Sequence, residues 1–398
     1  MEVTENVLPP QVQAAAQPRK IATNAIITAM LRAARHVSDL IFSPGRPPQV
    51  ESSGQLVEVA IPDVGRLTPE DTAHIAADII GNNKLAVDKL REQGSCDISY
   101  SLAKLARFRV NIFTQRGSCA IVMRVIPNRV PTFGSLNLPA QLRDITNLRN
   151  GVVLVTGPTG SGKSSTLAAI LDLINDEKAY HIITIEDPIE FLHAHKKATI
   201  HQREIHSDTP SFALALRAAL RQAPKVILVG EMRDKETIEI ALEAAETGHL
   251  VFSTLHTIDA SKTVERIIGA FPLADQHVIR TRLAKAFRYI VSQRLMPRKD
   301  GEGRLAAIEI LKSTMRTREY VERGESEGKS LLDAMRDGST EGMQEFDGEL
   351  ERMVREGMIH LDTAFAYASN AGNLRLQLAD YSEPDEREER HSSYNHKS

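Results

Sequence analysis

The chain is short of cysteine. Its 398 residues hold two, Cys96 and Cys119, too few for a disulfide framework or a four-cysteine zinc site. Each reads as a small buried residue and not as a reactive thiol. Neither sign of charge is in surplus, with 49 basic side chains against 52 acidic, so nothing argues for a nucleic-acid surface. No apolar run approaches the ~20 residues that a membrane span needs. The first residues carry Glu2 and Glu5, not the basic-then-apolar pattern of a secretory signal. Together these absences point to a soluble, cytoplasmic protein, long enough for two or more domains. No internal repeat is visible.

Composition divides the chain. Residues 1–20, rich in Gln, Ala and Pro, read as a disordered tail with little to bury. A first domain is expected over 21–126. It begins with an amphipathic helix around Ile26, Ile27, Met30 and Leu31, followed by a strand over 38–42. Thr68-Pro69-Glu70-Asp71 starts a helix, with a hydroxyl N-cap, proline at the first helical position and acids in the first turn. Strand-like segments at 97–102, 108–113 and 120–126 complete a small α+β domain. Residues 127–150, with Pro127 and two further prolines, read as an interdomain linker with a short helical piece. From 151 to 375, strands at 151–156, 181–186, 225–230 and 249–255 alternate with helices at 163–175, 211–222 and 234–246. That alternation predicts a parallel sheet with crossover helices. Beyond Pro272 the pattern reads as helical, with Ile279, Leu283, Phe287, Ile290 and Val291 as a core stripe. Residues 376–398, polar and acidic, read as a second disordered tail.

The chemistry begins at Gly157-Pro158-Thr159-Gly160-Ser161-Gly162-Lys163-Ser164, a complete phosphate-binding loop. Val152, Val153, Leu154 and Val155 before it read as a buried strand. Leu167, Ile170, Leu171 and Ile174 after it repeat at helical spacing, so the motif sits between strand and helix as it must. Glycines let backbone N–H groups turn inward around an anion, and the helix N-terminus adds positive potential. Lys163 is placed to reach the β- and γ-phosphates of ATP, Ser164 to ligate Mg²⁺, and Ser165 to complete the binding segment.

Hydrolysis needs an oriented water and a held metal. Two segments offer carboxylates at the carboxyl ends of strands, where ligands sit in open α/β sheets. The first runs Ile182-Ile183-Thr184-Ile185-Glu186-Asp187-Pro188-Ile189-Glu190. The second runs Val226-Ile227-Leu228-Val229-Gly230-Glu231, an apolar strand ending in an acid. His249 and His256 flank the strand at 249–255. They lie roughly 20 Å apart, too far to share a metal. Either could sense the γ-phosphate or hydrogen-bond a carboxylate, or be an ordinary histidine. Arg203, Arg217, Arg221 and Arg233 are candidates for phosphate or inter-subunit contacts, or for surface ion pairs.

The order of these segments is similar to a known series. The phosphate loop, Thr184-Ile185-Glu186-Asp187-Pro188-Ile189-Glu190-Phe191, Gln202-Arg203-Glu204, Gly230-Glu231-Met232-Arg233-Asp234 and Glu246-Thr247-Gly248-His249-Leu250 follow one another as in PilT/PilU-type type IV pilus retraction ATPases of the secretion-ATPase superfamily. Ser38-Asp39-Leu40, Gly45-Arg46-Pro47-Pro48, Arg107-Phe108-Arg109-Val110-Asn111 and Gly342-Met343-Gln344 extend the resemblance over roughly residues 25–375. It implies an α/β fold, with a RecA-like phosphate-loop ATPase domain behind a smaller PAS-like α+β N-terminal domain. It also implies a hexameric ring, with ATP and Mg²⁺ between the two domains. The ring would act on a pilus platform protein from the cytoplasmic side of the inner membrane, with a second pilus ATPase as a further partner. By position, Glu190 is the catalytic glutamate and Glu231 the Walker B glutamate. His249 lies in the His box, and Arg109 and Arg124 face nucleotide.

Two departures stand out. Retraction motors often carry Ala-Ile-Arg-Asn-Leu-Ile after the core, where this chain reads Met315-Arg316-Thr317-Arg318-Glu319-Tyr320-Val321. Lys225 stands where many relatives have an acid. Pilus extension ATPases typically carry a four-cysteine zinc site, which two cysteines cannot build. The expected function is therefore pilus retraction, with a conjugation or type IV secretion ATPase and a non-hydrolysing ring scaffold as alternatives.

Overall fold

A computed structural model describes residues 22–381, apart from 35, 36, 53, 104 and 128. The tail expected over 1–20 lies outside the described residues. The chain forms two compact units. The first reaches to Arg129 and includes Glu190–Leu192; the second runs from Val130 without that insertion.

The first unit contains α1 (Thr23–Ala33), β1 (Val37–Phe42), β2 (Gln49–Ser52), β3 (Gln55–Glu58), α2 (Pro69–Ile80), α3 (Lys84–Gln93), β4 (Ser95–Leu102), β5 (Ala106–Gln115) and β6 (Ser118–Ile126). Its antiparallel sheet has the order β3-β2-β1-β6-β5-β4. Alternation in β5 turns Phe108, Val110 and Ile112 into a core shared with Leu40, Phe42, Ile121 and Met123, onto which the helices lay Ile27, Met30, Ile79 and Leu90. The helix start expected at Thr68 is present, and the structure closes it as a capping box. Asp71 N–H donates to Thr68 Oγ1 at 3.2 Å and Thr68 N–H to Asp71 Oδ2 at 2.8 Å.

The second unit contains β7 (Gly151–Thr156), α4 (Lys163–Glu177), β8 (His181–Glu186), β9 (Thr199–Glu204), α5 (Phe212–Ala219), β10 (Val226–Val229), α6 (Lys235–Glu246), β11 (Leu250–Leu255), α7 (Ala260–Gly269), α8 (Leu273–Ala286), β12 (Phe287–Pro297), β13 (Arg304–Lys312), α9 (Met315–Arg323), α10 (Leu331–Asp337), α11 (Phe346–Arg355), α12 (Leu361–Tyr367) and α13 (Ala371–Gln377). The sheet order is β13-β12-β7-β11-β10-β8-β9. All pairs are parallel except β12 with β13. β7, β10 and β11 are buried at every position. Central parallel strands covered on both faces read as unbroken apolar runs, which is why they stand out in the sequence.

Three expectations need correction. The stripe beyond Pro272 is not one helix. Ile279 and Leu283 lie on α8, whereas Phe287, Ile290 and Val291 lie on β12, and all five are buried. Next, most of the segment read as a linker, 127–150, belongs to the second unit. Phe133, Leu142 and Ile145 pack there against Val153, Leu167 and Ile170. Finally, the tail expected over 376–398 does not begin at 376, since α13 runs to Gln377 and Leu378 is buried. Residues beyond 381 lie outside the described ones. No described helix is long and apolar enough to cross a membrane.

Candidate active site

The phosphate loop leaves the carboxyl end of β7 and runs into α4. Its backbone needs glycine at two places. A Cβ on Gly157, where φ is 144°, would lie 2.5 Å from the Gln293 carbonyl and from Ser161 Oγ, and Gly162 opens α4 with φ 89°. α5, α6 and α7 start from the capping side chains Ser211, Asp234 and Asp259. α4 has no side-chain cap, so its first N–H groups remain available to an anion. Pro158, Thr159 and Gly160 are exposed, Ser164 and Ser165 half-buried. Lys163 is buried, and its ammonium donates to the carbonyls of Gly157 at 2.9 Å and Pro158 at 3.0 Å.

A cleft of about 590 Å³ opens beside the loop, lined among others by Thr159, Glu231, Arg233, His256 and Arg266. Glu231 follows the end of β10, where Thr254 on the neighbouring strand donates to the Gly230 carbonyl at 2.6 Å. Its carboxylate is 2.7 Å from the Arg233 guanidinium and 3.8 Å from His256 Nε2. Burial lowers the His256 pKa, and the cations of Lys163 and Arg233 lower it further, against the opposing pull of Glu231. The balance shifts the ring toward its neutral form, which can exchange hydrogen bonds without adding charge.

The structure separates the two histidines. His249 shares the end of β11 that pairs with Gly151, the far end of β7 from the phosphate loop, and its Nδ1 lies 2.9 Å from the Ala244 carbonyl. His256, at the other end, faces the cleft. Expected as a catalytic residue, His249 is instead tied to the end of α6, and His256 takes the place near Glu231.

The acidic segment after β8 is held by polar side chains of β9. Glu186 accepts from Thr184 Oγ1 at 2.6 Å and Gln202 Nε2 at 3.1 Å. Buried Glu204 accepts from the Ile189 N–H at 3.0 Å, which fixes the backbone just before Glu190. Glu190 itself falls with Phe191 and Leu192 in the first unit. Arg109 and Arg124 are paired across β5 and β6 on an exposed face of the first unit, with Arg124 2.9 Å from Asp39. Arg203 and Arg217 are engaged elsewhere, with the Asp208 carbonyl and the Glu236 carboxylate.

The donor set suits Mg²⁺. It consists of a hydroxyl on the first turn of α4 and the Glu231 carboxylate, both hard oxygens. Among the described residues no group of three or more His, Cys, Asp or Glu side chains could hold a metal by itself. Mg²⁺ on a nucleotide needs no such cage, since phosphate oxygens and water complete its shell.

Sequence reasoning missed Arg266, Gln293 and Glu309. Gln293 Nε2 donates to the Ser161 carbonyl at 3.2 Å and props the loop from β12. The signal available was a polar pair, Ser292 and Gln293, inside an otherwise apolar run. It stayed hidden because that run was read as a helix.

Comparison with known proteins agrees with this geometry. The chain is 42% identical over 327 residues to the "Type IV pilus retractation ATPase PilT" of Pseudomonas aeruginosa, covering 82% of this chain and 93% of that one. Among solved structures it is similar to the pilus retraction motor PilT with bound ADP, with a TM-score of 0.78 and 42% identity, covering 88% of this chain and 98% of the other. It is also similar to the Legionella pneumophila ATPase DotB, with a TM-score of 0.75 and 29% identity, covering 92% and 99%. Residues 52–366, which take in both sheets' chemistry-bearing strands, match the family described as "Type II/IV secretion system protein". With a phosphate loop on an uncapped helix, an acid at the neighbouring strand end and this match across most of its length, the chain belongs to the Type II/IV secretion system protein family.

Proposed function

We propose that this chain is an ATP-hydrolysing motor that works as a homohexamer and drives type IV pilus retraction, the pilin disassembly behind twitching motility. One observation carries the reading. The phosphate loop and Glu231 border a single cleft, in a chain 42% identical to a pilus retractation ATPase over 93% of that protein's length. The seven-stranded unit is the RecA-like ATPase domain and the six-stranded unit the PAS-like domain. The motor acts in the cytoplasm, peripheral at the inner-membrane base of the pilus. Its partners are an inner-membrane platform protein and a second pilus ATPase, with no nucleic acid.

The residues divide the work. Backbone N–H groups of 157–164 and the start of α4 cradle the triphosphate. Lys163 exchanges the carbonyls of Gly157 and Pro158 for the β- and γ-phosphate oxygens. Ser164 and Glu231 would hold Mg²⁺, which would neutralise charge on those oxygens. Arg233 and Arg266 line the cleft and would supply positive charge to a bound triphosphate. Glu190 orients the attacking water, neutral His256 hydrogen-bonds Glu231 or the γ-phosphate, and Arg109 and Arg124 are further nucleotide-binding residues. His249 has a structural part at the end of α6.

Turnover and nucleotide binding by the purified chain test the reading. Lys163→Ala should lose nucleotide binding. Glu190→Gln should keep it while turnover falls about 10²-fold or more. Turnover intact in Lys163→Ala would remove the loop from the mechanism, and a wild type without turnover would favour a scaffold. The family description, "Type II/IV secretion system protein", supports a second reading, a secretion ATPase on the same fold. Deleting the gene and counting surface pili separates the two. Hyperpiliated, non-twitching cells support retraction, unchanged pili the secretion ATPase, and bald cells pilus extension.

A further inference from the structure

We infer that Glu309 is a positioning residue for ATP hydrolysis: from β13 it fixes the start of α7, and with it the turn carrying His256 and Thr257, against the strand that ends in the phosphate loop. The inference rests on the ATPase reading of this cleft and adds a residue that no motif marks.

Glu309 is 2% exposed. Its Oε1 accepts from the Ala260 N–H at 2.8 Å and from Ser292 Oγ at 3.1 Å. Ser292 in turn accepts from Thr156 Oγ1 at 3.1 Å, and Thr156 is the last residue before Gly157. Thr263, on the first turn of α7, donates to the Asp259 carbonyl at 2.7 Å and pairs with Thr257 Oγ1 at 2.6 Å. Its hydroxyl oxygen lies 3.5 Å from that of Thr156.

A hydroxyl has one proton to give, so these distances set the direction of the chain. Thr263 spends its proton on Asp259, and Thr257 donates to Thr263. Thr156 donates to Ser292, and Ser292 donates to Glu309. The phosphate-loop strand, β12 and α7 therefore converge on one oxygen. α7 carries Arg266, and the turn before it carries His256, both lining the cleft. The next residue on β12, Gln293, holds the Ser161 carbonyl, so the strand that reports to Glu309 also supports the loop.

A buried acid is a costly choice for packing alone, since an apolar side chain of similar volume fills a core without removing a polar group from water. Its value lies in pinning elements that must keep a fixed relation, because small displacements of catalytic groups carry large kinetic penalties. The charged groups facing Glu309 are Asp259 on the same turn and Arg294 on β12.

The test uses the full chain carrying Ser292→Ala, Glu309→Leu or Glu309→Gln, with turnover and equilibrium Mg·ATP affinity measured separately. Ser292→Ala and Glu309→Leu should lower kcat by roughly 10- to 100-fold while the Kd for ATP stays within about threefold, the signature of a group acting on the reaction and not on binding. Glu309→Gln keeps an oxygen for Ala260 and Ser292 and should restore most of the rate. Should the leucine variant fail to fold, Ser292→Ala removes only one hydroxyl and carries the test. Unchanged kcat in Ser292→Ala with an active wild type would overturn the inference alone. So would a Kd that weakens in step with kcat, or a glutamine variant as slow as leucine. A wild type that does not hydrolyse ATP would overturn the ATPase reading and this inference together.

Discussion

Glu309 shows how much a single side chain can weigh. Burial pushes its pKa from an ordinary 4.5 up to about 7, with Asp259 adding to the rise and the Ala260 N–H, Ser292 and Arg294 opposing it. The folded chain thus binds this proton more tightly than the unfolded chain does. Stability from the neutral acid is complete below about pH 4.5 and is lost as pH rises through about 7. The shift corresponds to on the order of 3 kcal/mol. Glu309→Gln cannot ionise, so its unfolding free energy, followed by urea denaturation, should fall less with pH across this window than that of the wild type. Equal slopes would mean that the carboxyl is ionised throughout.

Among the elements, the C-terminal helices illustrate a buried acid with a purely architectural task. Asp347 on α11 is 2% exposed and accepts from the Ser369 and Asn370 N–H groups at 2.6 and 2.8 Å, tying down the entry to α13. Asp347→Ala would strand both donors, and the expected loss is on the order of 3 kcal/mol, visible as a lower urea midpoint with turnover retained at 25 °C. Legibility followed burial. β7, β8, β10 and β11 were readable because both faces are covered and their residues are β-branched or apolar. β9 was not, since Thr199, His201, Gln202 and Arg203 leave no apolar run, and of these Gln202 serves as a polar prop for Glu186. β12 continues the i, i+4 spacing of α8 through Leu283 and Phe287, so periodicity alone ran across the helix end at Ala286. In the site, the phosphate loop and Glu231 declare themselves through local motifs. Arg266, Gln293 and Glu309 act through contacts between elements distant in sequence, which spacing does not encode.

For the whole molecule, the division at Arg129 replaces a long linker with a short junction. Phe133, Leu142 and Ile145 are buried, so the prolines of 127–150 shape a packed segment, and a hinge spread over that stretch would have to extract them. Arg129 is exposed. Limited trypsin digestion should therefore cut at Arg129 before Arg143 or Arg149, read by mass spectrometry of the first fragments; early cleavage within 133–149 would mean that the segment is open. The two cysteines have a practical consequence at this scale. Cys96 and Cys119 are each 2% exposed, and burial raises both thiols, Cys96 to about 11, so neither offers a thiolate to reagents near neutral pH. A fluorophore maleimide should therefore label only a cysteine engineered onto the surface, and donor and acceptor dyes for single-molecule energy transfer could be placed at chosen sites without first stripping the native thiols.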